Sequence, residues 1–441
     1  MPFIDGDDPM SYSSEAMKLL ESAGAKEGDM LTVRSKGSDQ RGILMPHHEF
    51  SHPDVIVIKL SSGYNIGINI DGIEALEVLE KAGERNRARR EALSSSSDRV
   101  VTIIGTGGTI ASYVDYRTGG VHPALSSEDL VSTVPEISEI CSVRADLLFS
   151  IYSENMDVGK WRELAASVAD RLDQGDEGII IPHGTDTMGY TSAALSFMLH
   201  DPPRPVVLVG AQRSSDRPSS DAYSNLLSSA RFAVEGDMAE VCVMMHGTSS
   251  DTDVLVHRGT RVRKLHTSRR DAFRSVNESP IARVNIEGEI EYISPHRKKR
   301  EGKVMLMDSM VEDVALIQFY PGMSPDRYED LIMSHSGVVI AGSGLGHVSS
   351  GMVKVLEKAV EKGIHVAMTS QCLYGRVNLN VYNTGRDLIT AGVIPLEDML
   401  PETAYVKMMW VLGQTSDLKE IERMMSENLR GEISERREID E

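Results

Sequence analysis

Two hydrophobic rhythms run along this chain, and the residues alone show where one gives way to the other. From Gly28 to Asp71, short β-rich runs alternate with turn residues: "MLTVRS", "RGILMPH", "DVIVIKL" and "YNIGINI". Their length and spacing predict a small barrel or compact sheet. A short amphipathic segment, Glu15 to Ser22, precedes them. The charged stretch Gly72 to Glu91 reads as a helix. The "SSSSD" that follows is a flexible linker, which puts a domain boundary near Ser97.

From Arg99 onward, strand-like runs are separated by longer helical stretches, the pattern of an open parallel α/β sheet. The candidate strands are "RVVTIIG", "GIIIPHG", "PVVLVGA", "EVCVMMHG", "DVALIQFY", "GVVIAGSG" and "IHVAMTSQ". Several end in glycine or a small polar residue. In such sheets the carboxyl ends of the strands form the ligand crevice, so residues just past them converge although they are distant in sequence. In "VTIIGTGGTIA" (Val101 to Ala111) the glycines let backbone approach a small ligand closely, and Thr109 is aimed into the crevice. A second strand end repeats this chemistry. Strand Gly178 to Ile181 runs into Pro182, His183 and Gly184, then Thr185, Asp186 and Thr187, then an amphipathic helix to about His200. Thr and Asp between strand and helix are preferred N-caps. Capping accounts for one or two of those three residues, but not for the recurrence of Gly-Thr at two strand ends.

Length and charge narrow the picture. A chain of 441 residues exceeds one ordinary core, so two or three domains are expected. No apolar run is long enough to cross a bilayer. The start "MPFIDGDDPM" lacks the basic and apolar regions of a secretory signal, which points to the cytoplasm. Cys141, Cys242 and Cys372 are scattered without CxxC spacing and read as buried free thiols. A net charge of -20 argues against broad nucleic-acid binding by this chain alone, leaving local contact or a partner. Three basic clusters stand out: "RNRARR" from Arg85, "RGTRVRKLHTSRR" from Arg258 and "HRKKR" from His296. The first and third read as solvated linker or loop.

Several chemistries fall away. "GTGGTIA" and "GSGLGH" lack the third glycine of a dinucleotide fingerprint, and GxxxxGK[ST], GxSxG and HExxH are absent. "HHEFSH" (His47 to His52) reads as a polar loop rather than a metal site. A threonine hydroxyl becomes a nucleophile only when a base takes its proton. A lysine serves as that base when burial or nearby charge lowers its pKa, and a carboxylate beside it orients it. The required set is Thr, Thr, Asp and Lys on one crevice. Lys264 is the lysine candidate, although its local sequence fits a surface charge in a basic loop equally well.

"TGGTIA" and "HGTDTM", in this order and at this separation, resemble the asparaginase/glutaminase family, in which two threonines, an aspartate and a lysine hydrolyse a side-chain amide. The resemblance spans roughly Arg99 to Gln414. It includes "VVIAGSGLGHV" and "TAGVIPLEDMLPETAYVKMMWVL", which look like the family's smaller C-terminal domain, with a second boundary near Lys303 to Val311. It implies an α/β fold: a small N-terminal β-barrel domain with helix and linker (1–97), an asparaginase-like open parallel sheet domain with the active site (98–305), and a smaller α/β C-terminal domain and tail (306–441). Carried over by position, Thr109 matches the nucleophile, Thr185 and Asp186 the second motif, and Lys264 the lysine of a Thr-Lys-Asp relay. Gly108 and Gly184 in the glycine turns, with Ser153 and Glu154 in "YSENMD", fall where substrate is held. The family's lid tyrosine has two candidates here, Tyr113 and Tyr116, in a lid from Tyr113 to His122.

Asparaginases begin almost at the first motif, whereas this chain carries a long piece in front of it. That piece, with "VHRGTRVRKLHTSRRDAFRSVN" and "CLYGRVNLNVYNTGRDL", resembles the branch of the family found in archaeal glutamyl-tRNA(Gln) amidotransferases, where it forms the D-type component. The resemblance implies a glutaminase. Its partner, the E-type component, holds the misacylated tRNA, activates the glutamyl carboxylate with ATP and Mg2+, and receives the ammonia. It further implies a homodimer within a heterotetramer and no cofactor or metal in this chain; the glycine-rich, polar make-up of Tyr113 to His122 suggests a lid that is open in the isolated chain and closed by the tRNA-loaded partner. The alternatives are a free-standing asparaginase/glutaminase, against which the front domain counts, and a binding module with a relict site, against which the complete Thr-Thr-Asp-Lys set counts. The role of the barrel, appendage or docking element, stays open, as does which threonine attacks first.

Overall fold

The structure, a computed structural model, describes residues 12–35, 38–45, 47, 52–60, 65–81, 98–107, 134, 136–213 and 220–435, and the backbone of 112–115 and 120–123. Its first unit holds β1 (Met30–Ser35), β2 (Ser38–Leu44), β3 (Val55–Leu60), β4 (Asn65–Asn69) and β5 (Ile73–Glu80), in the antiparallel order β4-β3-β2-β1-β5. No ladder joins β4 to β5 among the described residues, so the expected barrel takes the form of an open sheet order. Alternation buries Leu31 and Val33 of β1 with Leu44, Ile56 and Ile58. Ala16 and Leu20 of the helix Ser14–Ser22 pack onto the same cluster. That helix starts where Ser13 accepts the amide of Ala16, an ordinary N-cap.

One expectation fails here. The first part of the stretch read as a charged helix, Ile73–Glu80, is a strand paired with β1, and residues 82–91 lie outside the described ones. The register explains the misreading. Between Met30 and Leu31 the partner jumps from Glu80 to Val78, and between Arg34 and Ser35 it jumps from Ala75 to Ile73. Two bulges thus each insert a residue into β5, and they stretch the spacing of Glu74, Glu77 and Glu80 from a strand's two toward a helix's three to four.

The second unit is built on an eight-stranded sheet, with two hairpins and one short strand outside it. In chain order the strands are β6 (Val100–Gly107), the hairpin β7 (Ser112–Asp115) and β8 (Gly120–Pro123), β9 (Ser142–Ile151), β10 (Gly178–Pro182), the short β11 (Leu199–His200), β12 (Val206–Val209), β13 (Val241–His246) and β14 (Asp253–Arg258). A second hairpin follows, β15 (Val262–Lys264) and β16 (Phe273–Ser275), then β17 (Ala282–Asn285) and β18 (Ile290–Tyr292). The sheet order is β18-β17-β14-β13-β12-β10-β6-β9. From β13 to β9 every pairing is parallel, and β14, β17 and β18 extend the sheet antiparallel. The inner parallel strands β6, β10, β12 and β13 are buried on both faces and read as largely apolar runs, whereas the edge strand β9 is only partly covered. The carboxyl ends of these parallel strands therefore lie along one edge.

The C-terminal unit has β19 (Met305–Leu306), which pairs with β11, and a parallel sheet of β20 (Val314–Gln318), β21 (Gly337–Gly342), β22 (His365–Ser370) and β23 (Ile394–Pro395). A single apolar cluster joins this unit to the large sheet. Helix Met188–Met198, whose side chains are buried nearly all round, packs on helix Pro401–Gln414, and Phe197 stacks on Trp410 with ring centroids 5.6 Å apart. Of the three thiols, Cys141 and Cys242 are buried as expected, whereas Cys372 is exposed just past β22.

The chain's last described segment folds back against this junction. Lys407 Nζ and Glu432 Oε1 lie 2.6 Å apart with neither side chain exposed, and Lys407 also donates to the carbonyls of Met425 and Glu427. Burial lowers the Lys407 pKa, with the Glu432 charge opposing that shift. A buried pair contributes little net stability when intact, but losing one partner strands the other charge. Replacement of Glu432 by Ala is expected to cost about 3–5 kcal/mol, read as a large drop in unfolding midpoint, whereas Lys407→Met combined with Glu432→Leu costs far less.

Candidate active site

Strand β6 ends with a backbone constraint. Gly107 sits at φ 99°, and a Cβ there would collide with the Ile151 backbone of β9, at the point where the β6–β9 register shifts. Only glycine fits that turn. The preceding Thr106 is buried and donates to the Pro182 carbonyl at 2.8 Å, which ties the end of β6 to the end of β10. Gly108 and Thr109 follow directly and lie outside the described residues, as do Tyr116 and the side chain of Tyr113. The flanks of the lid segment pair as the β7–β8 hairpin.

Past β10 the chain gives three polar side chains in a row, and none of them caps the helix that follows. Thr187 occupies the N-cap position without a side-chain capping bond, and its hydroxyl donates to the Ser153 carbonyl at 2.7 Å. Thr185 Oγ1 and Asp186 Oδ1 each accept from Lys264 Nζ at 2.8 Å. The capping explanation that sequence reasoning allowed for one or two of these residues is therefore overturned: all three are engaged across the crevice.

Lys264 reaches this point from the far end of β15. Alternation along β15 turns Arg263 to one side, where it pairs with Glu402 at 3.1 Å, and turns Val262 and Lys264 to the other. The ammonium side chain is 13 % exposed and the Asp186 carboxylate 72 %. Lys264 is thus nearly enclosed while Asp186 faces open space. So exposed an ion pair contributes at most about 1 kcal/mol to folding, so stability does not account for it.

Ser153 and Gly184 sit on the same wall. Ser153 is buried in the turn after β9, and a Cβ on Gly184 would come within 2.7 Å of the Ser153 Cβ. Glu154, the next residue, is exposed. Gly210, at the end of β12, approaches as closely from the other side: a Cβ there would meet the Thr185 Cγ2 at 2.8 Å. The Gly210 carbonyl accepts from Asn225, whose own amide oxygen faces His246 Nδ1 at 2.6 Å. Sequence reasoning missed Gly210, Asn225 and the Thr187–Ser153 bond. The only signal for Gly210 was its place at a strand end, and none marked the others.

The basic clusters are largely tied up internally. In "HRKKR" Arg297 pairs with Asp201, Lys299 donates to the carbonyls of Ala233 and Val234 at a helix end, and Arg300 donates to Asp201 and Lys303 carbonyls, so this is not the solvated loop expected. In the second cluster Arg258 is held by Glu240 and Glu278, Arg270 by Asp251, and Arg269 and Arg274 by the buried Asp271. "RNRARR" lies outside the described residues. Thr248, at another Gly-Thr strand end, turns to Ser250 and Thr252 and does not join the site.

With the geometry established, comparison with known proteins becomes specific. "Asparaginase, N-terminal" matches residues 100–298, "Glutaminase/Asparaginase C-terminal domain" residues 313–425 and "GatD N-terminal domain" residues 25–79. The D-type subunit of the glutamyl-tRNA(Gln) amidotransferase from Thermococcus kodakarensis is 53% identical over 430 residues, covering 95% of this chain and 96% of its own. That of Sulfolobus acidocaldarius is 48% identical over 428 residues, covering 97% and 96%. The chain belongs to the GatD family, the D-type subunits of glutamyl-tRNA(Gln) amidotransferases. Its fold from β6 onward is that of solved asparaginases. The thermostable L-asparaginase of Thermococcus kodakarensis superposes with TM-score 0.68 at 34% identity, and L-asparaginase I of Vibrio cholerae with 0.67 at 28%; each comparison covers 76% of this chain and 99% of the asparaginase. The front unit is what those asparaginases lack. Among the described residues no helix is long and apolar enough to cross a membrane.

Two of the fully buried histidines, His183 and His257, illustrate an acid sensitivity. His183, beside the site, donates from Nδ1 to the Gly184 carbonyl at 2.7 Å, and burial lowers its pKa to about 4. His257 on β14 contacts Ser275 Oγ, and burial lowers its pKa to about 3. Both folded values lie below the ordinary 6.5, so the unfolded chain binds protons that the folded chain refuses. The stability is present above about pH 6.5 and is lost as pH falls toward 4 and below, at about 1.4 kcal/mol per pH unit for each ring. Denaturation midpoints of wild type and His257→Gln measured from pH 7 to 4.5 are expected to converge on acidification by about that amount per unit.

Proposed function

We propose that this chain is the glutaminase subunit of a tRNA-dependent amidotransferase. It hydrolyses glutamine to glutamate and ammonia, and a partner subunit uses the ammonia to convert Glu-tRNA(Gln) to Gln-tRNA(Gln) with ATP. The observation that carries this reading is the Lys264 ammonium, held at 2.8 Å from both Thr185 Oγ1 and Asp186 Oδ1 at the carboxyl edge of a parallel sheet. The name borne by close relatives along nearly their full length supports the same reading, as does the front unit that asparaginases lack. Both weigh against a free-standing asparaginase.

Glutamine binds with its α-groups near Ser153, Glu154 and Asp186, where the exposed Asp186 carboxylate receives the α-ammonium. Thr109 attacks the amide carbon: its Oγ–C bond forms as the hydroxyl proton is passed on. Backbone N–H groups of the glycine turns, at Gly108 and Gly184, take the charge that gathers on the amide oxygen, each contributing about 3 kcal/mol. The C–N bond then breaks, and the nitrogen leaves as ammonia with the proton. A water, activated by Thr185 with Lys264 hydrogen-bonded to it, then attacks the acyl carbon; its proton passes to Thr109 Oγ as the C–O bond to Thr109 breaks, and glutamate is freed. Lys264 Nζ is within proton-exchange distance of Thr185, and Asp186 fixes its direction.

The partner in this reading is the E-type subunit, GatE. It carries the tRNA, ATP and Mg2+, and this chain needs no metal or cofactor of its own. The acidic surface of this chain suits a division in which the polyanion is bound elsewhere. Two copies of each protein form the assembly, in the cytoplasm, and the lid from Tyr113 to His122 closes when the tRNA-loaded partner docks.

Ammonia release from glutamine, assayed with and without partner and glutamyl-tRNA, tests the reading. Lys264→Met and Thr185→Val are each expected to lower kcat by about 10²- to 10⁴-fold without loss of fold. Labelled amide nitrogen should appear in Gln-tRNA when all components are present. Retained turnover in Lys264→Met would refute the assignment, and full activity of the lone chain would remove the lid coupling.

A further inference from the structure

Arg261 heads the side chains that are fully buried among the described residues, and the mechanism above gives it no task. Its guanidinium is enclosed by oxygen. Nε donates to the Gly431 carbonyl at 2.8 Å, Nη1 to the Asp398 carbonyl at 3.2 Å and Nη2 to Ser434 Oγ at 2.7 Å, and the Asp398 carboxylate lies 3.2 Å from Nη1. A buried Arg–Asp pair is weak evidence of a stabilising role, because apolar side chains of similar volume do as well. Its place in the chain suggests another role: it stands three residues before Lys264, at the root of the β15–β16 hairpin.

That hairpin is a two-stranded ribbon with three residue pairs, and so short a ribbon does not hold its own shape. Its root is fixed from outside. The Val276 amide donates to the Arg261 carbonyl at 2.9 Å, and Ser192 Oγ donates to the Gly259 carbonyl at 2.7 Å. Thr403 Oγ1 donates to the Thr260 carbonyl at 2.8 Å, and Thr260 Oγ1 donates to the Arg430 carbonyl at 3.0 Å. The segment Arg430–Ser434 lies past residue 425, where the match to the C-terminal asparaginase domain ends. It is locked in turn by Glu432 on Lys407 and by Arg376, which donates to the Ser434 carbonyl at 2.5 Å.

We propose that Arg261, clamped by Asp398 and by the C-terminal segment Arg430–Ser434, is a positioning residue that sets where the Lys264 ammonium lies between Thr185 and Asp186. The C-terminal segment is then part of the glutaminase apparatus rather than a tail. This rests on the function proposed above. Lysine at position 261 would keep the charge but lose the planar fork that bridges Gly431, Asp398 and Ser434, and a displacement of the reacting group by about 1 Å is enough to cost roughly 10²-fold in rate.

The test is a double-mutant cycle read by steady-state glutamine hydrolysis in the assembled complex. Arg261→Lys and Ser434→Ala are each made alone and in the Lys264→Met background, and unfolding midpoints are recorded for all. Arg261→Lys is expected to lower kcat about ten- to a hundredfold with KM changed less than about threefold. Ser434→Ala should act in the same direction but more weakly, with an unchanged midpoint. In the Lys264→Met background neither should reduce the residual rate further, because the group they place is gone. Equal fold-losses in both backgrounds, a loss confined to KM, or an unaltered kcat in Ser434→Ala would overturn the proposal. A wild-type rate in Lys264→Met alone would instead refute the function reading, a result distinct from any of these.

Discussion

One ammonium group held between a hydroxyl and a carboxylate is the contact around which this molecule is arranged. Lys264 reaches Thr185 and Asp186 from a hairpin that is no part of the sheet carrying them. Two independent pieces of chain must therefore be held to within a few tenths of an ångström. The large sheet fixes the acceptors: Thr185 is pressed between Gly210 and the end of β10, and Thr106 ties β10 to β6. Helices Met188–Met198 and Pro401–Gln414 and the C-terminal segment fix the donor. The two halves meet through the apolar cluster shared by both α/β units, so the core is continuous from the acceptor strand to the root of the donor.

Close packing at glycine makes this geometry possible. Gly107, Gly184 and Gly210 each stand where a Cβ would run into a backbone or side chain of the neighbouring strand end. The strand ends are consequently nearer to one another than side chains would allow, and polar groups on different strands come within hydrogen-bond distance. The same economy of space leaves Asp186 facing outward, its carboxylate oriented by Lys264 yet open to a ligand.

The charge distribution follows a related logic. A strongly acidic chain places basic side chains where they neutralise buried acids and helix-end carbonyls: Arg258 on Glu240 and Glu278, Arg261 on Asp398, Lys299 on the carbonyls of Ala233 and Val234. These are tertiary contacts between residues far apart in the chain. They brace the antiparallel strands and the C-terminal segment against the parallel sheet.

What the sequence determined by itself was local and periodic. The buried runs of β6, β10, β12, β13, β21 and β22 announce themselves because a parallel strand buried on both faces has to be continuously apolar. Thr185, Asp186 and Lys264 could be named because "TGGTIA" and "HGTDTM" resemble the motifs of the asparaginase/glutaminase family, while the local sequence of Lys264 fitted a surface charge equally well. Only the tertiary structure decided the rest. The strand β5 was hidden because two bulges gave its glutamates a helical spacing, the N-cap reading of Thr185, Asp186 and Thr187 failed because partners distant in sequence compete for those side chains, and "HRKKR" read as a solvated loop because its acceptors lie far off in the chain. Arg261 left no signal at all, since a guanidinium in a basic run is legible as buried only once Asp398, Gly431 and Ser434 are seen around it. Periodicity records which face of an element is covered, whereas the position of a charge depends on which remote groups the fold brings to meet it.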